Sequence, residues 1–235
     1  MLEIRTILTV FLKVNLKKNK NMITQEEKEK LGVFDTIEEM FDFISSPSSV
    51  SKVSNQKGKN SIQWIGHYMN VLKELSENCD TIIELGINEV NSTWAFMMNR
   101  PKKITCVDLQ LKTEHRKHLY HTTPHLCNPW LDKAIELAKQ ENIELVIIEG
   151  DSRKVDLEPA DMMFIDTEHT YECLKQELTL HGPKIKKYIA IHDTELYPEE
   201  LVAIEEFIAE NPDWSIKMKY TSKPGLTILE NKKQI

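Results

Sequence analysis

Thr81-Ile82-Ile83-Glu84-Leu85-Gly86-Ile87-Asn88-Glu89-Val90-Asn91-Ser92-Thr93 reads as a strand, a sharp turn and the start of a helix. The first five residues are β-branched or apolar except for Glu84, a pattern that suits a strand covered on both faces. Gly86 lets the backbone turn and lets a ligand come close. Ser92 or Thr93 can cap the helix, whose first amides then face the turn.

The same alternation continues outward. Apolar runs at 81–85, 104–109, 144–149, 161–166, 188–193, 215–220 and 226–229 predict seven strands. Helical stretches at 92–99, 131–141 and 171–180 fall between the first five, and an amphipathic helix at 199–210 follows the fifth. Strands alternating with helices predict a doubly wound, mostly parallel seven-stranded α/β sheet. Thr221-Ser222-Lys223-Pro224-Gly225 reads as a turn between the last two strands, so the sheet should end in an antiparallel C-terminal hairpin.

N-terminal helices precede the sheet. Residues 36–44 read as a short helix capped by Asp35 or Thr36, with Glu38 and Glu39 in its first turn. Ser45-Ser46-Pro47-Ser48-Ser49 and the polar run after it read as a flexible connection. Ile62, Ile65, Tyr68, Met69, Leu72 and Leu75 then recur at helical spacing. We divide the chain into a tail, short helix and linker over 1–59 and a main domain over 60–235. Residues 1–16 are apolar but lack a cleavage site before the Lys17–Lys20 cluster. They read as a loosely docked tail rather than a signal peptide or anchor, with Met22 as an alternative start.

The 235 residues carry a net charge of −7, with 40% hydrophobic and 29% charged residues. That balance argues against nucleic acid as a partner, and no run is long enough to span a membrane. Lys184, Lys186 and Lys187 read as the solvated lead-in to a strand. Cys79, Cys106, Cys127 and Cys173 are scattered without a CxxC pair. They fit a reducing, cytoplasmic setting without disulfides or structural zinc.

Open α/β sheets bind ligands outside the carboxyl ends of their strands. This sequence places Glu84, Asp108, Asp151, Asp166 and Asp193 at or just after five strand ends. One such acid is often only a cap, but five in register are harder to explain by capping. Asp108, after the second strand, can accept two hydrogen bonds from a ribose diol. Asn88 and Val90 occupy the later positions of a GxGxxG turn, which weakens a nicotinamide-dehydrogenase reading.

Glu84-Leu85-Gly86, Asp108 and Glu149-Gly150-Asp151-Ser152 together resemble the cofactor signature of class I S-adenosylmethionine-dependent methyltransferases. Phe164-Ile165-Asp166-Thr167-Glu168-His169-Thr170-Tyr171-Glu172, followed by Ile191-His192-Asp193-Thr194, resembles the branch of cephalosporin-hydroxylase-like proteins and macrolide sugar O-methyltransferases. The likeness runs from about residue 60 to the C-terminus. It implies a Rossmann-like methyltransferase fold with S-adenosylmethionine as cofactor. Glu84 and Gly86 would border the methionine part, and Asn88, Ser92 and Thr93 in the same segment are further cofactor-binding candidates. Asp108 would hold the ribose, and Asp151 and Ser152 would lie near the adenine. Val90 departs from the family, which usually has glycine there.

Asp166 and Asp193 at neighbouring strand ends can share a hard cation such as Mg²⁺. The resemblance also implies a divalent metal here. His192 stands where some members have an acid, so Asp166, His192 and Asp193 would suit Mn²⁺, Fe²⁺ or Zn²⁺ better, or hold no metal at all. In the competing reading the aspartates cap loops and His192 packs beside them. The resemblance makes His169 a general base, working beside Asp166. A metal would hold the acceptor hydroxyl and lower its pKa, and His169 would take the proton.

His115, His118, His121 and His125 have metal-like spacing, but Thr122, Thr123 and Pro124 break any regular face, so the segment reads as a flap. Trp130 reads as a wall of the cleft or a helix-packing residue. The leading reading is O-methylation of a small hydroxylated acceptor such as a sugar or glycan, with homo-oligomers left open. The alternatives are an S-adenosylmethionine-binding protein without methyl transfer and a non-catalytic interaction domain. No HxD/E…H facial triad supports an oxygenase.

Overall fold

Apolar alternation pairs the strands into one sheet. The computed structural model describes residues 35–45, 65–87, 90–109 and 127–234, and Thr36–Ile235 form one compact unit. The strands are β1 (Thr81–Leu85), β2 (Lys103–Asp108), β3 (Glu144–Glu149), β4 (Ala160–Ile165), β5 (Ile185–His192), β6 (Trp214–Tyr220) and β7 (Leu226–Asn231). Their order is β3-β2-β1-β4-β5-β7-β6. The pairings from β3 through β5 are parallel. β7 runs antiparallel to both β5 and β6. The mostly parallel seven-stranded sheet with an antiparallel C-terminal hairpin is the architecture expected from the sequence.

β1 pairs with β2 on one side and β4 on the other. The chain winds outward in one direction over β2 and β3 and in the other over β4 and β5. The switch therefore falls between β1 and β4, where a doubly wound sheet opens a crevice.

The helices are α1 (Ile37–Ser45), α2 (Met69–Ser76), α3 (Asn91–Met97), α4 (Cys127–Gln140), α5 (Tyr171–His181) and α6 (Glu199–Glu210). On one face of the sheet Ile83, Leu85, Met163, Ile165, Ile189 and Ile191 form a core with Leu174, Leu178, Ile204 and Phe207 of α5 and α6. α3 covers the opposite face, where Phe96 meets Phe164 edge-on at 5.8 Å. α1 packs against α2 and α3, burying Ile37, Met40, Phe41 and Ile44. Of the two candidate caps, Thr36 accepts the Glu39 amide at 3.1 Å.

Several boundaries differ from the expectation. β5 begins at Ile185, not at 188, because Lys186 and Lys187 belong to the strand and reach toward Asp161 at 4.0 Å. Lys184 pairs with Asp156 at 2.6 Å. The helix expected through Tyr68 is broken by a 3₁₀ turn over Gly66–Tyr68 before α2. α4 starts at Cys127 rather than near 131, which puts Pro129 in the first turn, where its missing amide proton costs no helical bond. Trp130 is buried and meets Phe43 edge-on at 6.1 Å, so it packs α4 against α1. No helix among the described residues is long and apolar enough to cross a membrane. The tail before residue 35, the Ser-rich connection and the four-histidine segment lie outside the described residues.

Candidate functional site

The crevice is built first from backbone. Gly86 has φ +81°, and a Cβ there would lie 2.0 Å from the Asp166 carbonyl oxygen. The Gly86 amide donates to Val107 O at 2.8 Å, and the Asp166 amide to Leu85 O at 2.8 Å. The ends of β2, β1 and β4 are thereby locked together, with Asp108 and Asp166 on either side of Gly86.

Glu84 is fully buried. It accepts hydrogen bonds from Ser92 Oγ, from Thr93 Oγ1 at 2.6 Å and from Cys106 Sγ at 3.3 Å. Burial pushes its carboxyl up to about 7, against the pull of these donors. Glu84, Ser92 and Thr93 thus stand together as an internal clamp that fixes the first turn of α3 to β1. Asp108 is half-buried and accepts the Ile87 amide at 3.1 Å. Asn88 lies outside the described residues. Val90, where the resembling family usually has glycine, takes the left-handed conformation at φ +64° and is buried.

After β3, Asp151 is held by Arg153, with Nε at 2.8 Å, and by Lys154 at 3.0 Å. The Arg153 guanidinium holds its carboxyl well below the usual carboxylate range. Ser152 is turned inward and donates to Glu177, while the His181 ring meets the Ser152 carbonyl at 2.8 Å. Glu177 also accepts from Thr167 Oγ1 at 3.0 Å. One buried carboxylate therefore ties the turn after β3 to the turn after β4. Burial pushes it to about 7.

The remaining residues converge at the ends of β4 and β5. Asp193 sits just past β5 at φ +63°, its amide donating to Gly225 O at 2.9 Å. His169 Nε2 lies 3.1 Å from Asp193 Oδ2 and 3.8 Å from Asp166 Oδ1. From the interior, His192 Nδ1 lies 3.4 Å from both Asp166 Oδ1 and Asp193 Oδ1. His192 is buried, meets Tyr68 edge-on at 5.6 Å, and its Nε2 has no hydrogen-bond partner. Tyr68 is itself fixed to the hairpin turn, donating to Ser222 O at 2.7 Å and accepting the Gly225 amide at 3.1 Å.

Charge within this cluster is strongly coupled. Burial opposes a charged ring at His169, but Glu200, Asp166 and Asp193 outweigh it and hold the imidazole above its usual range. His192 is raised in the same way, burial being outweighed by Asp166 and Asp193. Burial raises Asp193, whereas at Asp166 the two imidazoles overcome burial and lower it. Two carboxylates and an imidazole, Asp166, His169 and Asp193, present ligand atoms within 4.8 Å of one another. Asp193 Oδ1 is buried without a hydrogen-bond partner, as a metal-ligand oxygen would be. The donor set fits a divalent cation that accepts both oxygen and nitrogen. The expected set had His192 as its nitrogen donor, and the geometry places His169 beside it as a second one.

Sequence reading missed Glu200, whose Oε1 lies 3.3 Å from His169 Nδ1, and Tyr197, stacked on the His169 ring at 4.5 Å and 11°. It also missed Glu177. The three described cysteines, Cys79, Cys106 and Cys173, are free and buried, and burial raises every thiol, Cys79 to about 12 and Cys173 to about 11. They are packing residues, not nucleophiles.

No protein-family model matches the chain, and no curated protein matches it in sequence. Solved structures do. The chain is similar to a Staphylococcus aureus protein assigned as a caffeoyl-CoA O-methyltransferase, at 15% identity and TM-score 0.50 over 95% of this chain and 99% of that one. It is similar to a Pyrococcus horikoshii protein assigned as an RNA methyltransferase, at 13% identity and TM-score 0.50 over 79% and 99%. An O-methyltransferase from Bacillus cereus, solved with SAH, aligns at 16% identity and TM-score 0.49 over 88% and 96%. At identities this low the two alignments at TM-score 0.50 establish the fold alone, and that fold is the Rossmann-like one of methyltransferases.

Proposed function

We propose that this chain is an S-adenosylmethionine-dependent methyltransferase that methylates a hydroxyl of a small acceptor, such as a sugar or glycan, in a cytoplasmic setting. The observation that carries the reading is the convergence of Asp166, His169 and Asp193 beside the Gly86 turn. Asp108, across that turn, is the group for the cofactor ribose. Asp151 and Ser152 would lie toward the adenine. The net charge of −7, with Lys184, Lys186 and Lys187 facing acids, supports a small molecule over nucleic acid.

Methyl transfer requires alignment of the acceptor and removal of its proton. His169 Nε2 is the base, and Asp166 and Asp193 stabilise the imidazolium that forms. A divalent cation, when bound, would be held by Asp166 and Asp193 with His192, leaving His169 Nε2 free as the base, and would lower the pKa of the acceptor hydroxyl. His169→Ala should lower turnover at least about 100-fold while S-adenosylhomocysteine affinity stays within about twofold. The assay is transfer of labelled methyl from the cofactor to a panel of sugars and other hydroxylated acceptors. Unchanged turnover in His169→Ala sinks the base assignment. Calorimetry that detects no S-adenosylmethionine binding, with or without Mn²⁺, sinks the cofactor as well.

A further inference from the structure

Glu200 lies in the first turn of α6, on the stripe that also buries Ala203, Ile204 and Phe207. Its neighbour Glu199 is exposed and can serve the helix dipole from solvent. Glu200 is only 3% exposed and turns inward. Its Oε1 reaches His169 Nδ1 at 3.3 Å, and its Oε2 is buried with no hydrogen-bond partner. Such a carboxylate is costly to bury, so its single contact needs a purpose. Tyr197 lies flat against the same ring. The imidazole is therefore held on its face by Tyr197 and at Nδ1 by Glu200, with Nε2 toward Asp193 and Asp166.

We infer that Glu200 is a positioning residue that accepts the Nδ1 proton of His169 and leaves Nε2 as the nitrogen facing the gap between Asp166 and Asp193. Without that acceptor the neutral ring would place its proton on Nε2 and donate it to Asp193. In that form Nε2 could neither take a proton nor ligate a cation. An orienting carboxylate behind a working histidine is a general device of both base and metal sites. The inference rests on His169 being the group that works at the proposed site.

The test uses the full chain with ¹⁵N-labelled histidine and long-range ¹H–¹⁵N spectra, at an alkaline pH where the rings are neutral. The His169 signals are assigned by their loss in His169→Ala. Glu200→Gln keeps an acceptor oxygen, whereas Glu200→Met keeps the length without one. The wild type and Glu200→Gln should carry the proton on Nδ1, and Glu200→Met should shift it to Nε2. In Glu200→Met, kcat should fall about 10- to 100-fold with the KM for S-adenosylmethionine within about twofold, and Glu200→Gln should recover most of the loss. A wild-type ring protonated on Nε2 overturns the inference even if Glu200→Met does not fold. So does a Glu200→Met protein with the wild-type spectrum. A tautomer that responds to Glu200 in a protein without methyl transfer supports the positioning and defeats the proposed function instead. Active wild type, inactive His169→Ala and an unaltered Glu200→Met defeat the positioning alone.

Discussion

Gly86 is fixed by a neighbouring strand as well as by any ligand. The sequence shows a glycine where a cofactor would approach, and the structure shows the Asp166 carbonyl already occupying the space a Cβ would need. Gly86→Ala therefore meets two penalties, the left-handed φ of +81° and a 2.0 Å collision with backbone. It should lower stability by more than about 2 kcal/mol in denaturant unfolding. Because the collision falls on Asp166, any folded fraction should also lose turnover. A stable, active Gly86→Ala protein would show that the ends of β1 and β4 are not locked. Val90 makes the complementary point. A β-branched residue at φ +64° is a conformational outlier, at a place where the resembling family has glycine. The turn is therefore held here by a residue that bears a conformational cost for it.

At the scale of elements, the strands were legible because apolar runs buried on both faces have few other readings. Edges were less legible. The lysines at 186 and 187 hid the start of β5, since a long lysine stem can leave a buried strand and still reach Asp161. Helical phase carries a further signal. Glu177 falls in register with Cys173, Leu174, Leu178 and His181, and Glu200 with Ala203, Ile204 and Phe207. An acid on the apolar stripe of a helix is a buried acid, which separates Glu177 and Glu200 from their neighbours Glu172 and Glu199. α1 belongs to the same scale. Its place within the compact unit predicts that Met40→Ala, at a fully buried position, costs about 2–5 kcal/mol. Unfolding should remain a single transition by both circular dichroism and tryptophan fluorescence. A loss below about 0.5 kcal/mol would make α1 a docked appendage of the tail instead.

Across the whole molecule, the buried acids give stability a definite pH dependence. Glu84 and Glu177 both rise from 4.5 to about 7 on folding, chiefly through burial. The folded state therefore holds protons that the unfolded chain has released, and stability falls as pH rises from about 4.5 to about 7. His169 and His192, raised from 6.5, act in the same direction: their contribution is present below 6.5 and is lost as pH passes their folded values. His181, lowered by burial, opposes them, since its neutral ring favours the folded state above 6.5. The two glutamates dominate the lower window, each by roughly 3 kcal/mol at most. Glu84→Gln and Glu177→Gln each remove the titrating group and, like the protonated acid, keep one acceptor oxygen and one donor for the two hydroxyls that hold it, Ser92 and Thr93 in one case, Ser152 and Thr167 in the other. The double variant should lose most of the decline between pH 5 and pH 7 while staying close to wild type at pH 5. Thermal midpoints across that range, with no cofactor or metal added, decide it. A wild-type midpoint that is flat or climbs from pH 5 to pH 7 would mean that both carboxylates are ionised in the folded protein. The clamp on α3 and the bridge between the two turns would then be charged rather than neutral.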